Sequence, residues 1–175
     1  MILSLFIIFV LLLAILQTSF LPHFELLNSA PNLMLVFVVS WCILKNYKNG
    51  LLGAIVGGFL LDLFSSTFFG INMICLTVTM IVTYLVISNF VDMNNIYTRV
   101  GIISLATLFY YLLMLLTFFI LEFFDLKFIG YLQPLWQKVL GNIALNIVLM
   151  FLFYRFVNFF RDFSIRYNDK IKART

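Results

Sequence analysis

The chain has 175 residues, of which 64% are hydrophobic and only 10% charged, with a formal net charge of +4 and a mean hydropathy of +1.12. Soluble globular chains carry roughly 25% charged residues, and a soluble domain of this length could not hide so much apolar surface. Composition therefore excludes a soluble protein and points to a polytopic integral membrane protein.

The opening run "MILSLFIIFVLLLAIL" has no basic region ahead of it and no small-residue cleavage site before Pro22, so it predicts a spanning helix that is retained, not a removable signal peptide. That first span is predicted at Ile2–Leu21, followed by Pro31–Leu44, Leu51–Phe69, Ile71–Ser88, Val100–Leu121 and Val139–Val157. Several of these approach the roughly 20 apolar residues that cross a bilayer. The reading is all-α: a bundle of six transmembrane helices over residues 1–157, with a basic tail over 158–175. The second span is short and is expected to extend into Lys45 and Asn46 by snorkelling. No connection is long enough to hold a soluble domain. Cys42 and Cys75 lie inside apolar runs and read as packing residues, not as a disulfide or a metal pair.

Basic residues set the orientation. With both termini in the cytoplasm, the inner side collects Lys45, Lys48, Arg99, Arg155, Arg161, Arg166, Lys170, Lys172 and Arg174, against Lys127 and Lys138 outside, which is nine to two. That is a strong positive-inside bias, and an odd number of spans would divide the basic loops between the two sides. The excess charge sits in the tail, where Arg161, Arg166, Lys170, Lys172 and Arg174 would face anionic lipid at about 1 kcal/mol per base. Phe156, Phe159, Phe160, Phe163 and Tyr167 recur there at helical spacing, which predicts an amphipathic juxtamembrane helix continuing from the sixth span. So short a basic patch does not suit nucleic acid.

The third span holds the densest pattern. Ala54, Gly58 and Asp62 are four residues apart and share one helix face, with Gly53 and Gly57 as a second small pair beside it. Small residues at this spacing let a neighbouring helix approach closely. A carboxyl group at bilayer depth costs about 2.5–3.5 kcal/mol, so Asp62 should face protein or water and not lipid. Counting from Gly50, it lies about 18 Å above the inner boundary. Asn146 and Asn142 of the sixth span come to about 16 and 22 Å, and Gln17 of the first to a similar level. Asp62 is therefore expected to hydrogen-bond Gln17, Asn142 or Asn146, so that Asp62→Asn would be tolerated and Asp62→Leu would not.

Catalysis finds little to work with. The lone His23 lies near Glu25 in the first outer loop, Glu122 and Asp125 lie at or beyond a boundary, and Ser65 and Ser66 follow Asp62 without a base. Neither paired acids nor a His/Cys cluster appears, and an ion pathway would ordinarily distribute several ionisable groups along the spans. No enzymatic activity, metal or cofactor is expected.

The segment "AIVGGFLLDLFSSTFFGIN" resembles the central motif of the rod shape-determining membrane protein MreD family. Ala54, Gly58, Asp62, Ser65, Ser66 and Gly70 stand at its positions, and "APNLMLVFVV" resembles the start of the family's second helix, with Pro31 at the matching distance. Two positions depart from the pattern: Asn32 where the family often has an acid, and Ala54 where glycine is usual. Motif content is confined to residues 30–72; the remainder matches in length, span count and inward termini.

The resemblance implies a non-enzymatic subunit of the bacterial elongation machinery. Its partners would be the bitopic protein MreC, the actin-like MreB, a polymerase of the RodA type and a class B penicillin-binding protein. It also implies a fold similar to the solute-binding S-components of energy-coupling-factor transporters, with room for a central cavity. Such an S-component is the alternative function, although Ala14 stands alone where those proteins carry alanines at four-residue spacing. In the scaffold role, Phe124, Phe128, Tyr131 and Trp136 form either an aromatic belt at the lipid interface or a docking strip. Tyr110 and Tyr111 are ambiguous in the same way.

Overall fold

A computed structural model describes residues 2–23, 30–65, 68–90, 95–123 and 135–172. Among these there are six α-helices and no strand: α1 (Ile2–Ile15), α2 (Leu33–Ile43), α3 (Tyr47–Phe64), α4 (Ile71–Phe90), α5 (Ile96–Phe123) and α6 (Leu135–Lys172). α1 runs on through a π-helical turn, Leu16–Phe20, and a 3-10 turn, Leu21–His23.

The boundaries follow local chemistry that apolar runs do not record. α2 ends at Ile43 and does not extend into Lys45 and Asn46, because Lys45 takes a φ of 54°. Asn46 then starts the next helix, its side chain accepting from the Asn49 N–H at 3.2 Å. α3 consequently begins a turn before the predicted Leu51. It stops at Phe64, short of the predicted Phe69, where Ser65 turns extended. α6 continues unbroken past Val157 to Lys172; residues 158–172 contain neither Gly nor Pro to stop it.

α2 is the axis of the fold. All of its residues are buried, and its 11 residues measure only about 16 Å, half of a hydrocarbon layer of about 30 Å. It contacts each of the other five helices. Around it α1 packs on α3, α3 on α4, α4 on α5, and α5 on α6. The ring has one seam, between α6 and α1, bridged by the stacked rings of Phe9 and Phe156 with centroids 4.6 Å apart. Phe37 and Trp41 of α2 fill the centre, with Phe6 and Phe153 against Phe37.

The polarity runs opposite to that of a soluble bundle. Asn146 and Thr107 are fully buried, while Val148 and Leu152 on the outside of α6 are 68% and 67% exposed. A soluble protein would reverse that arrangement; hydrocarbon favours it. Among the described residues, three helical stretches are long and apolar enough to cross a membrane: Ile71–Phe90, Ile96–Leu121 and Val139–Phe159. The charges are polarised as well. Lys45 and Lys48 lie at the α2–α3 turn and Arg99 in the first turn of α5, where its guanidinium sits 4.5 Å over the ring of Tyr154 on α6. Arg155 follows on the same turn of α6, so these four form one basic end.

Candidate functional site

The first N–H groups of any helix lack intrahelical partners, and in an apolar interior each one left open costs several kcal/mol. Two helices here, α2 and α4, begin inside the bundle, and the buried Asn32, Asn146 and Thr107 are tied to the first of these places and the buried Asp62 and Asn72 to the second.

At α4, Asp62 supplies the acceptors. Its Oδ1 accepts from the Asn72 backbone N–H and from Asn72 Nδ2, both at 2.9 Å, and its Oδ2 accepts from the Met73 N–H at 3.0 Å. The side chain is 5% exposed. An acid at a helix N-terminus is also favoured by the helix dipole. Gly58, one turn earlier on α3, makes this reach possible. A Cβ there would lie 2.4 Å from the Met73 Cα and 2.8 Å from its N, so only glycine lets α4 seat its first turn on α3. Gly70 returns the chain between the two helices with a φ of +98° in open space; it is required for conformation, not for room.

From Asp62 the ties continue across the bundle. The Tyr110 hydroxyl donates to Asn72 Oδ1 at 3.0 Å, Tyr110 meets Tyr111 edge to face at 5.5 Å, and Asn142 Nδ2 donates to the Tyr111 hydroxyl. α3, α4, α5 and α6 are thus linked in sequence.

At α2, three first-turn donors are closed by side chains. Asn32 Oδ1 accepts from the Leu35 N–H at 3.0 Å, Gln17 Oε1 from the Met34 N–H at 2.9 Å, and Asn146 Oδ1 from the Asn32 N–H at 2.9 Å. Gln17 Nε2 also donates to Asn32 Oδ1 at 3.2 Å, and Asn146 Nδ2 donates to Thr107 Oγ1 at 3.2 Å. Gln17 stands in the π-helical turn of Leu16–Phe20, a distortion frequent at functional positions.

This geometry corrects the expected pairing. Asp62 bonds none of Gln17, Asn142 and Asn146; its partners are Asn72 and Met73. Similar depth did not mean contact, because α2 and α4 take up the intervening positions and the nearest donors are backbone N–H groups on the next helix. Gln17 and Asn146 fasten α2, and Asn142 meets Tyr111. The participants missed by sequence reasoning are Asn72, Thr107 and the capping role of Asn32. For Asn32 a signal existed: an Asn just after Pro31 and just before an unbroken apolar run is a helix-start pattern.

The small residues divide between two neighbours. A Cβ on Gly57 would lie 2.4 Å from Met34 Sδ, and one on Gly53 would lie 3.2 Å from Phe37 Cε1 and 3.6 Å from Phe6 Cζ, so both face α2 and Gly53 faces α1 as well. Gly50, not singled out by spacing, is closely packed as well: a Cβ there would lie 2.8 Å from Met80 Cε on α4 and 3.5 Å from Trp41 Cβ on α2. Ala54 is fully buried. Phe124, Phe128, Tyr131, Glu25, Asp125, Ser66 and Arg174 lie outside the described residues. Trp136, Arg161, Arg166, Lys170 and Lys172 are on the α6 backbone, and their side chains also lie outside the description. Cys42 and Cys75 are buried thiols, and among the described residues no three His, Cys, Asp or Glu side chains form a metal-sized group.

The two amides of α6 should respond differently to removal. Asn146→Leu strands the buried Asn32 N–H and is expected to cost about 1–3 kcal/mol. Asn142→Leu should cost less, because Asn142 Oδ1 is already buried without a partner and its loss offsets that of the Tyr111 bond. Thermal unfolding of the two variants in one detergent checks the order.

An all-helical chain with apolar helices of membrane length, its polar groups turned inward to close helix ends, is a membrane protein. The family model of rod shape-determining protein MreD matches residues 1–160, and the chain belongs to that family. Its role is accordingly that of a rod-shape-determining membrane protein. Neither curated proteins nor solved structures give a match to the chain.

Proposed function

We propose that the protein is a non-enzymatic membrane scaffold of the elongation complex. It binds MreC and, in the same assembly, helps couple MreB filaments to peptidoglycan synthesis by RodA and a class B penicillin-binding protein. All six helices lie in the bacterial cytoplasmic membrane with both termini inside, a topology that the one-sided distribution of basic residues supports. The short α2 is tolerated because its neighbours surround it.

The observation that carries this reading is the use made of the buried polar groups. The acid that could have served chemistry accepts three hydrogen bonds from the start of α4, and the amides Gln17, Asn32 and Asn146 are engaged at the start of α2. Such a core favours one rigid arrangement of helices, and rigidity suits a platform that presents fixed surfaces to partners. The rival reading, an S-component of an energy-coupling-factor transporter, is less well supported, since α2 fills the middle of the bundle with side chains that are all buried.

Co-purification decides between them. The full chain, tagged and co-expressed with MreC from the same organism, is expected to co-elute with it from a mild detergent. Co-elution with a paired ATPase module in place of MreC would establish the transporter reading, and elution with neither would remove the scaffold reading.

A further inference from the structure

The two capped helix starts share a residue. The Tyr110 hydroxyl, on a buried side chain of α5, donates to Asn72 Oδ1 at 3.0 Å, which ties it to the start of α4. The same hydroxyl is hydrogen-bonded by the Asn32 side chain at the start of α2. Amide and phenol chemistry fixes how these bonds run. Asn32 Oδ1 already accepts from the Leu35 N–H and from Gln17 Nε2, so Nδ2 is the atom left for Tyr110. A phenol has one proton, and Tyr110 gives it to Asn72. Asn72 in turn directs its own Nδ2 to Asp62 Oδ1 at 2.9 Å. Gln17, Asn32, Tyr110, Asn72 and Asp62 thus form one chain in which every link donates toward Asp62. The carboxyl group can end such a chain because both of its oxygens accept. The same direction leaves Gln17 Oε1 for the Met34 N–H and Asn32 Oδ1 for the Leu35 N–H at the far end.

We propose that Tyr110 is a joint that locks the starts of α2 and α4 into one state, so that loosening either start releases the other. It is a positioning residue, since both of its hydrogen bonds go to side chains and those side chains hold the helix ends. Reversing one link would set donor against donor in an interior where an unpaired polar group is costly, so the chain changes as a unit. Asn32 suits this arrangement where an acid would not, because only an amide accepts from α2 and donates to the phenol at once. α2 and α3 form a hairpin through the turn at Lys45 and Asn46, which brings both starts toward the same side of the membrane. A contact that displaces the connection entering one helix is thereby felt at the connection entering the other. The joint rests on buried hydrogen bonds and not on the scaffold reading.

Amide hydrogen exchange reports on each helix start separately. The full-length protein is reconstituted into vesicles, and exchange is read by mass spectrometry on the peptides that hold Met34 with Leu35 and Asn72 with Met73. Tyr110→Phe keeps the ring and removes the hydroxyl. Exchange is expected to rise about tenfold at both starts, the weight of one lost hydrogen bond, and to stay unchanged at the opposite end of α3. Asn32→Asp is the second variant, and it serves also where Tyr110→Phe fails to fold. It keeps oxygens to accept from Leu35 and Gln17, but its carboxyl group competes with Asn72 for the single phenol proton. Exchange should then rise at Asn72 and Met73, on the other helix, while Met34 and Leu35 keep their protection. Several results would overturn the joint: a Tyr110→Phe effect at one start only or at neither, an equal rise along the whole chain, or an Asn32→Asp effect that stops at α2.

Discussion

Gly58→Ala is expected to destabilise the protein by about 3 kcal/mol or more, at the upper end of what overpacking costs. In a thermal melt of the detergent-solubilised chain that corresponds to a fall on the order of 10 °C. The added methyl would meet the Met73 Cα at 2.4 Å and its N at 2.8 Å. Both belong to a helix backbone and cannot rotate away. α4 would have to lift from α3, and the lift would also pull the Asn72 and Met73 N–H groups out of reach of Asp62. Gly57→Ala is the internal control. Its nearest obstacle, Met34 Sδ at 2.4 Å, belongs to an unbranched side chain that can adopt another rotamer, so a cost of about 1 kcal/mol is expected. Equal losses from the two substitutions would show that the backbone contact at Gly58 is not what holds the hairpin.

Much of this fold could be read from side-chain letters. Apolar runs place the start of every helix to within about a turn, because hydrocarbon leaves a spanning backbone few alternatives to the helix, whereas the break at Ser65 and the capping role of Asn46 were read through as continuing helix. Four-residue spacing put Asp62 and Gly58 on one face and Gly53 with Gly57 beside it, and the cost of burying an acid turned that face inward. The partners of that face were not legible. The groups Asp62 bonds are mainly backbone N–H, which every non-proline residue carries and no pattern marks. Their availability arises only because α4 starts inside the bundle. The central position of α2 was hinted at by its shortness, but that a short apolar run is surrounded by longer ones depends on the order of helices around it. The seam between α6 and α1 is a product of the same order. It follows from α1 packing on α3 and α2 while making no extended backbone contact with α6.

Asp62 offers the sharpest separation of roles, since its two substitutions should rank by the number of acceptors they remove. Asp62→Leu removes the carboxylate acceptors of the Asn72 N–H, the Met73 N–H and Asn72 Nδ2; at about 1–3 kcal/mol for a stranded group, most molecules should fail to assemble or should unfold at ordinary temperature. Asp62→Asn keeps one carbonyl oxygen, enough for the two donors that now share Oδ1. Its amide nitrogen, however, would face the Met73 N–H, which now donates to Oδ2 at 3.0 Å, setting donor against donor. The asparagine variant is therefore expected to fold with a loss of about 1–3 kcal/mol. That replaces the sequence-based expectation of a tolerated change, which rested on Gln17, Asn142 or Asn146 as the partners. Unlike an amide, a backbone N–H cannot reverse its polarity. Unfolding midpoints for the three proteins in one detergent, alongside MreC co-elution, test the ranking. Stability equal to the unsubstituted chain for Asp62→Asn would mean that Met73 is capped by something other than this carboxyl group. An equal, severe loss in both variants would show that charge outweighs the hydrogen bonds.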